Sequence, residues 1–381
     1  MMEALFWLAA FLLVYSYFLY PALLKLFITP QDPTQQQPEH WPSVDVILSA
    51  YNEESCIAER LTNLLQQDYP GLLTIRVASD GSSDKTGAII QNFDDPRIQA
   101  DVHLENRGKV AVLNDLVAQS EADILVFTDA NTFFAEDAIR QLVSSFQQQI
   151  GAVCGELHLQ TEDGNANSDG LYWRYEQFLK ESESSLGALL GANGAIYAIR
   201  RALYQPLPAN TVVDDFCIVM NIKRQGYDVV YNTKAKASEE VAPSLQDEYG
   251  RRVRIGLGNY RAFRQHLWAL SPMKGALSWC YWSHKVLRWF GPHLMLLVLL
   301  SNLFLLASPW YQVTLLAQLL FYGLAWVGQT RIRQGHHTPS WLAILSFFVS
   351  MNVALAHGFL RYLQGNQQGA WKRTARHGDA K

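Results

Sequence analysis

The chain has little excess charge of either sign, few cysteines and no visible repeat, and each shortage removes a class of protein. Lys and Arg number 31 against 35 Asp and Glu, a formal net charge of -4 over 381 residues. That balance lacks the basic excess expected of a nucleic-acid binder, so no nucleic-acid partner is expected. The four cysteines, Cys56, Cys154, Cys217 and Cys280, stand far apart with no C-x-x-C pair. Zinc and dithiol chemistry are therefore not expected, a reducing compartment is, and unrelated packing positions account for all four. His336 and His337 are adjacent, poor spacing for one metal on a helix, and are expected to be solvated or interfacial. The absence of self-similarity at a period of about 20–50 residues argues against a solenoid or propeller.

Charge is missing altogether from residues 4–24. About 20 apolar residues cross a bilayer. This run outlasts the apolar core of a signal peptide, has no basic flank before it and reaches Tyr20 and Pro21 without a small-residue cleavage site. It is expected to be a retained anchor, domain 1–28, with a buried core helix as the alternative. A second apolar block, 290–363, offers three further spans at 294–307, 310–327 and 341–360, with Ser308 and Pro309 turning between the first two. Between 266 and 289, Trp279, Tyr281, Trp282 and Trp289 mix with Lys274, Lys285 and Arg288, as suits a helix at headgroup level.

Loop charge gives an orientation. Glu3 precedes the first span and Lys25 follows it, while Arg331 and Arg333 lie between the last two, which puts the middle segment on the cytoplasmic face of a multi-pass inner-membrane protein. Four crossings would then leave Lys372, Arg373 and Arg376 of the basic tail, 364–381, outside, against the positive-inside tendency. Either the last segment, interrupted by Asn352 and His357, does not cross fully, or the span count is off by one.

Residues 29–42 are rich in Pro and Gln without periodicity and read as a linker. An alternating pattern follows. VDVILS (44–49) is a strand; 53–67 puts Ile57, Leu61, Leu64 and Leu65 on one helical face; 73–79 is a strand ending at Asp80 and Gly81. Asp84 is placed to cap a helix leading to Phe93, 108–120 forms another helix, and 124–128 is a strand reaching Asp129. Asp214 and Asp215 open a helix to Arg224 that Gly226 can end, before a strand at 228–231. The sum is an α/β fold whose sheet has parallel neighbours, with acidic residues beyond its strand ends, where such sheets meet ligands.

SAYNEE (49–54), SDGSSDKT (79–86), NRGKVAVLN (106–114), TDAN (128–131), GANGAIYAIRR (191–201), VVDDF (212–216) and RRVRIGLGN (251–259) resemble, in order and spacing, the motifs of family 2 glycosyltransferases. The flanking apolar segments are similar to those of the membrane-integrated branch near hyaluronan, chitin and cellulose synthases. The resemblance covers about 43–265. It implies a GT-A fold, a mixed, mostly parallel sheet flanked by helices, with transmembrane helices at both ends. It also implies a nucleotide-sugar donor, expected to be a UDP-sugar, and a lipid-linked or growing saccharide acceptor at the membrane.

The resemblance assigns roles residue by residue. Tyr51 would pack on the base, Glu53 and Asp80 would accept hydrogen bonds, as carboxylates do well from N–H donors, and Lys109 would meet the nucleotide. Asp129, with Asn131 where the family has a second Asp, would hold Mg²⁺ or Mn²⁺, hard cations that take oxygen ligands. Asp215 would be the base, supported by Asp214, in an inverting transfer. Arg251 and Arg254 would face the diphosphate, at the place of the family's Q-x-x-R-W motif, here without its Gln and with Ile255 for Trp. Asn193 and Gly194 would wall the acceptor pocket.

Plainer alternatives stay open: a helix cap or turn at Asp80, a chain reversal at Asn131, an N-cap pair at Asp214 and Asp215, a solvated or lipid-facing basic face at Arg251 to Arg254, and a buried glycine-rich turn at 191–194. Alternative activities are a processive polysaccharide synthase, which Ile255 disfavours, and a nucleotidyltransferase. A scaffold with a vestigial nucleotide pocket is the non-catalytic possibility.

Overall fold

The computed structural model describes residues 1–33, 37–160, 168–240 and 245–365, so Lys372, Arg373 and Arg376 lie outside the described residues. Two compact units emerge: a sheet unit of Pro30–Gly164 and Lys180–Ser244, and a helical unit of Met1–Thr29, Asn165–Leu179 and Leu245–Asn366.

The sheet unit contains strands β1 (Val44–Ala50), β2 (Leu73–Asp80), β3 (Ile98–His103), β4 (Ile124–Thr128), β5 (Thr132–Phe134), β6 (Ile150–Gln160), β7 (Tyr197–Arg200) and β8 (Asp228–Glu240). They form one sheet in the order β3-β2-β1-β4-β7-β6-β8-β5. The first four are parallel neighbours, β7 runs antiparallel to β4 and β6, β6 and β8 are parallel, and β5 is antiparallel to β8. Every residue of β1 and β4 is buried, which is why β4 reads as a nearly unbroken apolar run rather than an alternating one, while the buried Asp45 of β1 is paired with Arg76 and Ser120.

Helices Ile57–Leu65, Thr86–Gln91 and Lys109–Gln119 stand among the parallel strands. The first starts four residues later than periodicity suggests, because Glu53 is held in the turn: its N–H donates to Thr86 Oγ1 at 2.7 Å and its carbonyl accepts from Cys56 and Ile57. Asp84 does not cap in the usual register; its Oδ1 accepts from the N–H of Thr86 two residues on, at 2.9 Å. β3 has no counterpart in the sequence reading. It lies at the sheet's edge, and its half-exposed, polar-rich pattern carries no apolar period to detect.

Opposite β6, β8 has a bulge, the register jumping from Gly155–Asn232 to Glu156–Lys236. Gly155 is required there, since a Cβ would meet the Ala235 carbonyl at 2.7 Å. The bulge re-aims the far half of β8, which carries Glu239 beside Thr132 of β5.

Among the described residues, the helical unit holds three helices long and apolar enough to cross a membrane: Met2–Phe27, Pro309–Arg333 and Ser340–Leu363. Their surfaces are greasy, with Phe18 70% and Trp326 71% exposed. The expected span at 294–307 is a 13-residue helix, Gly291–Leu303. It is bent by 64° from Ala276–Trp289, so the pair is one broken span or a re-entrant loop. Pro292 in its first turn lacks the N–H that would continue the preceding helix. Helix Leu245–Gln265 packs along Ser340–Leu363 where glycines let the backbones touch, a Cβ on Gly358 falling 2.7 Å from Leu257 N. Glu176, Arg288 and His284 form a polar knot here, with Arg288–Glu176 at 2.6 Å and His284–Glu176 at 3.2 Å.

Candidate active site

Two loops close one end of the parallel strands. After β1, Asn52 adopts φ 55, the only non-glycine residue with positive φ among the described residues. Its Oδ1 accepts from Ser83 N at 2.8 Å and its N–H donates to Ser82 Oγ at 3.1 Å. Glu54 and the 84–85 turn exchange two more bonds, Glu54 N to Asp84 Oδ2 at 3.1 Å and Lys85 N to Glu54 Oε2 at 3.0 Å. These contacts tie the Tyr51 turn to the Asp80 turn, with Tyr51 half-buried and Glu53 buried.

Asp80 is fully buried, and both of its carboxylate oxygens are occupied: Oδ1 accepts from Arg107 N at 2.8 Å and Oδ2 from Gly108 N at 2.9 Å. It therefore anchors the loop that launches helix Lys109–Gln119. Gly81, at φ 65, permits this approach, since a Cβ there would lie 2.3 Å from Asn106 N.

Lys109, the first residue of that helix, reaches Asp129 Oδ1 at 2.9 Å and Asp214 Oδ2 at 3.4 Å. Burial disfavours its charge, but Asp129, Asp214 and Asp215 outweigh that and hold the ammonium above its ordinary range. Asp214 and Asp215 open helix Asp214–Arg224, whose positive end favours carboxylates. Asp215 is nonetheless raised to about 6, first by burial and then by Asp214, while the Phe216 N–H, Lys109 and Lys180 oppose the rise.

Asn131 Nδ2 donates to Glu239 Oε1 at 2.7 Å, a partnership across β5 and β8. Beneath Asp129, the buried Arg60 donates to Thr128 Oγ1 at 2.8 Å and lies 4.3 Å from the Phe134 ring centroid. Asn193 is committed within the protein: its N–H donates to Cys154 Sγ at 3.1 Å, its Nδ2 to the Gly155 carbonyl at 2.7 Å, and its Oδ1 accepts from Lys180. Gly194 faces the acid, and a Cβ on it would stand 3.6 Å from Asp215 Oδ2.

Of the residues singled out in the sequence, Asp129, Lys109, Asp214, Asp215, Asn193 and Gly194 are joined by contacts. Tyr51, Glu53 and Asp80 belong to the two tied loops, and Asp80 also holds the 107–108 backbone that leads into Lys109. Arg251 and Arg254 lie in the helical unit, on Leu245–Gln265, the first exposed and the second half-buried. Sequence reasoning missed Arg60, Lys180 and Glu239. Only Arg60 left a signal, as a charge on the face formed by Ile57, Leu61 and Leu64.

Oxygen donors dominate this arrangement, which suits a hard cation. Asp129 is 34% exposed and already carries a cation, the Lys109 ammonium. Among the described residues no three His, Cys, Asp or Glu side chains form a metal cage. The protein thus fits an ion that keeps waters or substrate oxygens in its shell.

Residues 45–205 match the glycosyl transferase family 2 domain. The chain is 24% identical over 233 residues to a poly-beta-1,6-N-acetyl-D-glucosamine synthase of Staphylococcus epidermidis, covering 59% of this chain and 56% of that one. An N-acetylglucosaminyltransferase of Bradyrhizobium elkanii is 31% identical over 150 residues, 36% of this chain and 82% of that protein. The chain spans little more than half of the Staphylococcus synthase, and 42% of a Mesorhizobium japonicum N-acetylglucosaminyltransferase. In fold it resembles the mannosyltransferase PcManGT from Pyrobaculum calidifontis, solved with GDP-Man and Mn²⁺, at TM-score 0.73 and 21% identity over 96% of this chain and 100% of that one. The chain belongs to glycosyl transferase family 2, and its sheet unit is of GT-A type.

Proposed function

We propose that this family 2 chain is an inverting, metal-dependent glycosyltransferase that moves a sugar from a UDP-sugar to a lipid-linked or growing saccharide acceptor at the cytoplasmic membrane face. One observation carries the reading. Lys109 joins Asp129, at the end of β4, to Asp214, while the neighbouring Asp215 rests against the open Gly194. A donor-side acid and an acceptor-side acid thus share one counter-ion.

In this reading Tyr51 and the two tied loops receive the nucleoside, with Asp80 holding the 106–108 backbone in place. Asp129 and Asn131, with Glu239 bonded to Asn131, would hold the divalent ion. When bound, that ion supplies positive charge against the departing diphosphate. Asp215 takes the proton of an acceptor hydroxyl as its oxygen bonds to the anomeric carbon. The bond from that carbon to the diphosphate oxygen breaks with its electron pair, releasing nucleoside diphosphate and inverting the centre. Gly194 leaves the space in which the hydroxyl would sit.

The names of the relatives suggest UDP-N-acetylglucosamine as the first donor to test. Ile255, where processive synthases of the resembled branch carry Trp, favours transfer to a lipid-linked or oligosaccharide acceptor over long polymer synthesis. Membranes containing the protein, incubated with a panel of radiolabelled nucleotide sugars, should yield organic-extractable product from a UDP-sugar in the presence of Mg²⁺ or Mn²⁺. Label confined to long polymer would reject the preference for a lipid-linked or oligosaccharide acceptor, and label transferred equally well with chelator would reject the metal.

A further inference from the structure

Lys180 stands in none of the motifs, yet it ends a chain of contacts on the acceptor side of Asp215. It lies near the end of helix Ser168–Ser185 and donates to Asn193 Oδ1. The far end of the same amide donates to the Gly155 carbonyl at 2.7 Å, and the Asn193 N–H is taken by Cys154 Sγ, so this residue, 6% exposed, has no freedom to rotate. The next residue is Gly194, whose vacant Cβ position is 3.6 Å from Asp215 Oδ2 and 3.8 Å from its Cγ. Pulling on Lys180 therefore pulls on the wall that Asp215 faces.

Charge gives a second reason. Asp129, Asp214 and Asp215 gather round Lys109 in a poorly solvated site, where Arg60 adds a cation on the Asp129 side and Lys180 one on the Asp215 side. Among the described residues, the titratable groups that act on Asp215 or feel its charge are Asp214, the Lys109 and Lys180 ammonium groups, the Cys154 and Cys217 thiols and the Tyr197 phenol. Of these the two lysines favour an ionised carboxylate, and Lys180 is the one bonded to Asn193, next to Gly194. Burial and Asp214 push the Asp215 carboxyl upward, and the Lys180 charge works against them.

We propose that Lys180 is a positioning residue for the base: it locks Asn193, and with it the Gly194 face of the acceptor pocket, and it sets a fixed positive charge on that side of Asp215. The proposal rests on the reading of Asp215 as base. In that reading Lys180 belongs to the acceptor side through Asn193, so donor binding should be indifferent to it.

The test compares Lys180→Gln, which removes the charge but keeps a hydrogen-bond donor, with Lys180→Arg, which keeps the charge. Nucleoside diphosphate release is followed across pH, with UDP affinity measured separately on each purified protein. Lys180→Gln should move the acidic limb of kcat upward by roughly half a unit or more, lose several-fold activity near neutrality and regain much of it in alkaline buffer. Lys180→Arg should keep the limb in place, and UDP affinity should stay within about twofold in both. A loss in Lys180→Gln that is the same at every pH, or an unmoved limb, overturns the proposal. Should Lys180→Gln fail to fold, Asn193→Ser provides the second reading, because it cuts the link and leaves the charge. It should raise the acceptor KM without moving the limb, and an unchanged acceptor KM counts against the inference. If Asp215→Asn retains full activity, the base assignment falls and Lys180 falls with it; an inactive Asp215→Asn beside an unmoved Lys180→Gln limb sinks Lys180 alone.

Discussion

The Lys109 ammonium lies 2.9 Å from Asp129 Oδ1 and 3.4 Å from Asp214 Oδ2, bridging a strand end and a helix start far apart in sequence. Two carboxylates that a sugar donor and its acceptor would approach from different sides are thereby set at a fixed separation. The same lysine balances the charge that makes this cluster costly to assemble.

Removing that balance should be felt even without substrate. Lys109→Met leaves Asp129, Asp214 and Asp215 facing one another, and we expect it to destabilise the protein by about 1–3 kcal/mol, the lower end reflecting the partial exposure of Asp129. Mn²⁺ should raise the melting temperature of this variant more than that of the wild type, because a cation replaces the missing ammonium. Differential scanning fluorimetry with and without Mn²⁺ checks both, and equal stabilisation of the two proteins would separate Asp129 from the metal.

The elevated Asp215 carboxyl makes a pH prediction with a definite sign. Its value in the folded protein, about 6, exceeds its ordinary 3.8, so its contribution to stability is full below 3.8 and is lost as pH rises through about 6. Ionised Asp215 therefore weakens the fold at neutral pH. Asp215→Asn should melt higher than wild type by roughly 2–5 °C in neutral and alkaline buffer, with the difference vanishing in strong acid. For activity the sign is opposite, since only the carboxylate accepts a proton, and kcat should fall as pH drops through about 6. A flat kcat across that window contradicts the assignment.

Arg60 should prove structural and sharply specific. It is fully buried, binds Thr128 Oγ1 at 2.8 Å beside Asn63 and lies over Phe134, fixing the last residue of β4 before Asp129. Burial pulls its guanidinium down to about 9, with Asp129 opposing the fall. Arg60→Lys cannot reproduce the planar fork. We expect it to cost about 2–4 kcal/mol in chemical denaturation and to weaken metal binding through Asp129. A loss below the error of the denaturation curve would remove Arg60 from the account of how β4 ends.

Asn131 offers a change that should separate stability from metal affinity. Its amide donates to Glu239 Oε1 at 2.7 Å, so Asn131→Asp sets two carboxylates against each other. Without metal the variant should lose about 1–2 kcal/mol, and with Mn²⁺ it should bind the ion several-fold more tightly, read by calorimetry. Weaker Mn²⁺ binding by Asn131→Asp would place the ion elsewhere.

How far the sequence carried this picture depends on how local each signal was. Buried strands such as Ile124–Thr128 and capped helices such as Asp214–Arg224 have a pattern confined to the element, and both were legible to the residue. β3 was invisible because an edge strand with half-exposed polar positions has neither period nor apolar run. The helix at Gly291–Leu303 looked like a full span because hydropathy alone does not see a 64° bend at Phe290. Within the site, Asp80, Asp129 and Asp215 came from motifs, yet what they touch did not. Asp80 is spent on the 107–108 backbone, and Asn193, expected to wall the acceptor pocket, is engaged at both ends of its amide by Gly155 and Lys180. Glu239 and Lys180 reach the site through a bulged strand and a helix end, pairings that only tertiary contact reveals.

The most direct test of the central claim is one comparison on purified full-length protein in membrane mimetic: UDP affinity and nucleoside diphosphate release for wild type and Asp215→Asn, with the sugar donor identified in the panel above and Mn²⁺ present. The account predicts a fall in turnover of roughly 10²–10⁴-fold with nucleotide affinity within about twofold of wild type. Undiminished turnover in Asp215→Asn would contradict it, and so would a loss of UDP binding that matched the loss of turnover.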